Sequence, residues 1–172
     1  MMGCITRAIC AAVAISPLAV SAQETPHFDP TPALSCLAGA PDFVAQQACI
    51  GVAAEACMAS NEMGYTTVGM GYCFDQELVF WDARLNAAYG PLMQREKAMD
   101  AEMTQLGATV PSLAEALRGM QRAWIPYRDA TCDYERAQWG NGTGGGPATL
   151  ACLMDLTGRQ ALELERRLND GQ

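Results

Sequence analysis

Of the residue types that carry chemistry, cysteine is the abundant one: eight occur in 172 residues, against a single histidine. Cys4 and Cys10 sit in an apolar leader. The other six are Cys36, Cys49, Cys57, Cys73, Cys132 and Cys152. An even set in an exported chain reads as three disulfides. Zinc is the rival use, but no two of the six form a Cys-x-x-Cys pair, and His27 lies in a proline-rich tail. No metal and no cofactor are expected. Cys–His and Ser–His catalysis lack a histidine in the part that folds. Glu77 and Asp82 could be imagined as a hydrolase carboxylate pair, but five residues apart on a helix they diverge by about 140°. The methionines, among them Met70, Met93, Met99, Met103 and Met120, fall at helical spacing and read as packing rather than soft-metal ligands. The sequence therefore argues for a protein that binds rather than one that turns over a substrate.

A second group of polar residues lies beside aromatic helix faces. Asp82, Asn86 and Arg128 are the polar positions nearest the expected helix contact, followed by Gln121, Arg122, Asp129 and Arg159. They have two readings. One is a ligand site. The other, which the cost of burying an unpaired charge favours, is structural: Arg128 pairs with Asp82 while Asn86 satisfies a neighbour. Trp139 precedes a glycine-rich run, and with Asn141 and Thr143 it could form a protruding contact loop.

The elements that must position these residues are helices. Phe74, Leu78, Trp81, Leu85, Ala88 and Leu92 recur at steps of three and four. This central helix should start at Thr66 or Thr67 and run to about Leu106, kinked at Gly90-Pro91. A second aromatic-faced helix from about Pro111 to Trp139 carries Leu113, Leu117, Met120, Trp124 and Tyr127, with Pro126 as a second kink. The two stripes can bury only against each other or a third helix, and the expectation is that the first two clamp together. Gly140 to Pro147 reads as a loop, and Ala148 to Asn169 as the last helix. Before them, Asp42 caps a helix through about Met58. The fold expected is all-α: a small disulfide-stapled bundle of three main helices plus a short N-terminal helix.

Arg7, an apolar run and Val20-Ser21-Ala22 read as a signal peptide over residues 1–22, too short to span a bilayer. Residues 23–33, with Pro26, Pro30 and Pro32, read as a flexible leader, 34–60 as an N-terminal helical segment and 61–172 as the main helical domain. Loss of Arg7 takes the formal charge from −8 to −9. An acidic, exported domain without a later membrane span disfavours nucleic acid and favours a cationic envelope partner, in the periplasm or outside the cell. Geometry narrows the cysteine pairing. Cys49 and Cys57 stand about 12 Å apart on one helix and cannot bond. Cys57 and Cys73 flank a turn at Asn61–Gly64, Cys132 and Cys152 flank the glycine loop, and Cys36 and Cys49 remain.

Two signatures complete the reading. The first is Cys73-x3-Glu77-x3-Trp81-Asp82-x2-Leu85-Asn86-x2-Tyr89. The second is Gln121-Arg122-Ala123-Trp124-Ile125-x-Tyr127-Arg128-Asp129-Ala130-x-Cys132, followed by the glycine-rich loop, Cys152 and Leu156-Thr157-x-Arg159-x3-Glu163-Leu164. In this order they resemble the LprI-type lysozyme-inhibitor family of small exported helical domains, over about Cys57 to Leu168. The resemblance implies an exported protein that binds and inhibits a lysozyme-type muramidase. The alternative is an envelope accessory module with a different protein or peptidoglycan as partner.

Overall fold

The computed structural model describes residues 24–170; the expected signal peptide lies outside them. The described residues form six helices and no strand: α1 (Thr31–Gly39), α2 (Phe43–Gln47), α3 (Val52–Met58), α4 (Thr67–Gln105), α5 (Leu113–Gln138) and α6 (Gly145–Asp170). All three disulfides join the expected partners, Cys36–Cys49, Cys57–Cys73 and Cys132–Cys152.

Helix α4 is the spine, 39 residues and so about 58 Å long. Thr66 opens it by accepting the Gly69 N–H on its hydroxyl at 3.1 Å. The helix continues through Pro91, as α5 does through Pro126. Its buried stripe is Cys73, Glu77, Trp81, Leu85, Ala88 and Leu92. At its N-terminal end this stripe is turned one residue from the expected one, because the bond to Cys57 draws Cys73 inward. Phe74 and Leu78 pack half-buried against the edge of the core.

The expected clamp between α4 and α5 is not how the core closes. The main partner of α4 is α6, and α5 lies mostly on α6. Met154, Thr157, Ala161, Leu162 and Leu164 of α6 are buried, whereas Trp124 is only half-buried and Tyr127 is 61% exposed. Helix α6 also meets the N-terminal segment closely: at Gly158 an added Cβ would stand 2.9 Å from the Ile50 side chain, so glycine suits this approach. Helix α5 packs on one side of the α4–α6 pair and makes no contact with α1–α3 among the described residues.

The N-terminal part is more built than expected. Pro32 sits in the first turn of α1, where a missing N–H costs nothing. The leader expected to be flexible is tied down. Pro26 is buried, Phe28 packs on the core, the His27 N–H donates to Ser60 Oγ, and Asn61 Nδ2 donates to the Glu24 carbonyl. Asp42 caps α2 as its sequence suggests, accepting the Ala45 N–H at 2.8 Å. The single helix expected from Asp42 to Met58 is two, broken where Gly51 turns left-handed at φ +94°. At the other end α6 starts earlier than expected: Gly145 to Pro147 form its first turn rather than the end of a loop.

Candidate functional site

Two sets of residues with the same spacing face each other across the α4–α5 junction. Asp82, Leu85, Asn86 and Tyr89 stand at i, i+3, i+4 and i+7 on α4, and Arg118, Gln121, Arg122 and Ile125 repeat that spacing on α5. All but Asp82 line an open groove of about 360 Å³. Leu85 is buried at its base, and Ile125 is 44% exposed. Gln121 is held by α6, its Oε1 accepting from Gln160 Nε2 at 3.0 Å. Asn86 Nδ2 donates to the carbonyl and the carboxylate of Asp82, both at 2.9 Å, which uses the amide's donor side and leaves its oxygen unengaged. Arg118 pairs with Glu115, one turn back. Arg122 and the Tyr89 hydroxyl have no hydrogen-bond partner among the described residues, and Arg122 forms no ion pair.

The remaining polar positions lie elsewhere. The expected Asp82–Arg128 pair does not form. Arg128 instead bonds Asp129 at 2.8 and 2.9 Å and stacks 5.0 Å over the Trp124 ring, an arrangement local to α5. Arg159 pairs with Asp155 at 2.8 Å on α6, which pushes its pKa up. Trp139 is 52% exposed, and Asn141 and Thr143 are exposed with it. The indole packs over Gly144, where an added Cβ would meet the ring at 2.2 Å, so the loop is moulded on Trp139. Seventeen residues of helix separate Arg122 from Trp139, about 25 Å by helical rise. The groove and the loop are therefore distinct surfaces, close enough to fall under one partner of ordinary size.

A sequence model of the lysozyme inhibitor LprI matches residues 57–164, well over half of the chain. The chain belongs to the LprI family. Two similar bacterial proteins carry the description uncharacterised. One from Rhizobium meliloti strain 1021 is 30% identical over 103 residues, covering 60% of this chain and 74% of that protein. A 17.7 kDa protein of Rhodobacter capsulatus is 28% identical over 131 residues, covering 76% of this chain and 80% of its own length. No solved structure matches.

Two carboxylates inside the LprI segment have roles that sequence reasoning missed. Glu77 is fully buried. It accepts the Gly51 N–H at 2.7 Å, the Ala54 N–H at 2.6 Å and the Trp81 indole N–H at 2.8 Å. It thus caps α3 from another helix, satisfying N–H groups that a helix start leaves without partners. With both oxygens engaged and Asp82 exposed on another face, the two do not form a carboxylate pair. The signal was available: Glu77 lies midway between Cys73 and Trp81 on the buried stripe. Asp100 does the same for α5, accepting Ser112 Oγ–H at 2.6 Å and the N–H groups of Leu113 and Ala114 at 2.8 and 3.1 Å. The Ser112 hydroxyl first, then these backbone groups, hold the Asp100 carboxyl below the usual carboxylate range.

Charge is divided unevenly along the chain. From residue 24 to residue 83 there are eight Asp and Glu and no Lys or Arg. From residue 84 to residue 170 there are eleven acidic and ten basic residues, so nearly all the net charge belongs to α1–α3 and the first half of α4. Among the described residues no helix is long and apolar enough to cross a membrane.

Proposed function

We propose that this protein is exported and binds and inhibits a lysozyme-type muramidase. The observation that carries the proposal is the match of residues 57–164 to a lysozyme-inhibitor family. Two further features support it. Three disulfides suit an oxidising compartment outside the cytoplasm. A cation-free stretch with eight acidic residues attracts a cationic enzyme over the range of a Debye length, which raises the association rate. In this reading the acidic end steers the encounter, and the Trp139 loop obstructs the carboxylate-lined cleft of the enzyme.

The test is cell-wall turbidity clearing by lysozyme with the purified mature chain in excess. Clearing should stop at low ionic strength, with the association rate falling as salt rises. Unchanged clearing at both low and moderate salt, against lysozymes of the major classes, refutes the proposal.

A further inference from the structure

The α4–α5 groove contains a free cation in a chain where cations are scarce and mostly engaged. Seven of the ten Lys and Arg among the described residues form ion pairs; Lys97, Arg122 and Arg136 do not. Of these three, Arg122 lines the α4–α5 groove. Two neutral donors with capacity to spare share its lining, the Tyr89 hydroxyl and the Gln121 amide nitrogen; the Asn86 oxygen can only accept and offers nothing to a carboxylate. The base is apolar at the buried Leu85, and the exposed Ile125 adds an apolar side chain to the lining. A guanidinium fork with neutral donors beside it and methylene-sized apolar contact beneath is the setting for a carboxylate on a short aliphatic stem.

We infer that this groove takes a carboxylate side chain from the cleft of the muramidase, with Arg122 as the bidentate partner and Tyr89 as a second donor. The inference rests on the inhibitor reading and deepens it. A muramidase cleft offers two acidic side chains on opposite sides of the scissile bond. The two charge effects act at different ranges: the acidic end of the inhibitor attracts the enzyme as a whole, while Arg122 engages one acid at contact. Arg118 is less suited, because Glu115 already occupies it. With Arg122 on a cleft carboxylate, the Trp139 loop, about 25 Å away by helical rise, meets the enzyme away from the catalytic pair.

The experiment is titration calorimetry of the mature chain against a cationic c-type lysozyme, with turbidity clearing in parallel. The variants are Arg122→Ala, Arg122→Lys, Tyr89→Phe and, as a control cation away from the groove, Lys97→Ala. Far-UV circular dichroism confirms that each folds. Arg122→Ala should weaken binding at least tenfold, Arg122→Lys should recover only part of that loss, and Lys97→Ala should bind like the wild type. Lysozyme variants with each cleft carboxylate changed in turn to its amide provide the partner side. One of them should weaken the wild-type inhibitor at least tenfold while weakening Arg122→Ala less than twofold. If the wild type binds and Arg122→Ala binds within twofold of it, the groove inference is wrong and the inhibitor reading stands. If losses from Arg122→Ala and from both lysozyme variants simply add, the carboxylate pairing is wrong. Absence of any binding by the wild type, here and to lysozymes of the other major classes, overturns both.

Discussion

Glu77→Ala should be the most damaging single substitution of a polar residue in this domain, and its cost can be worked from the three bonds it removes. The Ala54 N–H and the Trp81 indole N–H are buried, and the Gly51 N–H is partly so. A buried donor left without an acceptor costs about 1–3 kcal/mol, and the partly solvated one costs less. Allowing for local relaxation, the loss should be about 3–5 kcal/mol. For a domain of this size each kcal/mol lowers Tm by about 2–4 °C, so the expected drop is about 6–20 °C. Glu77→Gln keeps the volume and one acceptor but turns an amide N–H₂ toward a donor, so it should lose about half as much. The assay is thermal and urea unfolding followed by far-UV circular dichroism with the disulfides intact. Native-state hydrogen exchange should show the Gly51 and Ala54 amides at the start of α3 losing protection before those of α4. A Tm drop below about 2 °C for Glu77→Ala would refute the reasoning, because it would mean that Glu77 does not hold α3 to the spine.

Three other outcomes are expected. The folded state holds the Asp100 pKa below its unfolded value, so this group's stabilisation is fully present above about pH 4 and is lost as pH falls through the folded pKa. Asp100→Asn should therefore lower Tm at neutral pH and flatten the acid limb of a Tm-against-pH series; an unchanged limb contradicts the cap. Replacing Cys57 and Cys73 together by alanine should cost roughly 3 kcal/mol in the chain-entropy model for a loop of this length, read as a lower urea midpoint. Gly158→Ala should destabilise by about 1–3 kcal/mol through contact with Ile50, and adding Ile50→Ala should reduce the increment due to the alanine at 158; simple additivity of the two would show that they do not touch.

The helical class, the disulfide pairing and several helix starts were legible in the sequence because each depends on neighbours a few residues away. Asp42 and Thr66 cap by reaching three residues forward, and Cys57–Cys73 and Cys132–Cys152 close across short turns. The two spacings that make up the groove were legible one at a time. What tertiary structure decided is which faces meet. That α6 rather than α5 is the main partner of α4 is a pairing of faces that a period of three and four residues does not encode. The role of Glu77 depends on two N–H groups more than twenty residues earlier, presented by a left-handed turn at Gly51. Arg128 was matched by charge to Asp82 and in fact bonds its neighbour, because the exposed outer face of α4 keeps Asp82 with Asn86. Local hydrogen bonds and turn closure are set by the order of residues, whereas long-range partners are set by the shapes of the surfaces that the finished helices bring together.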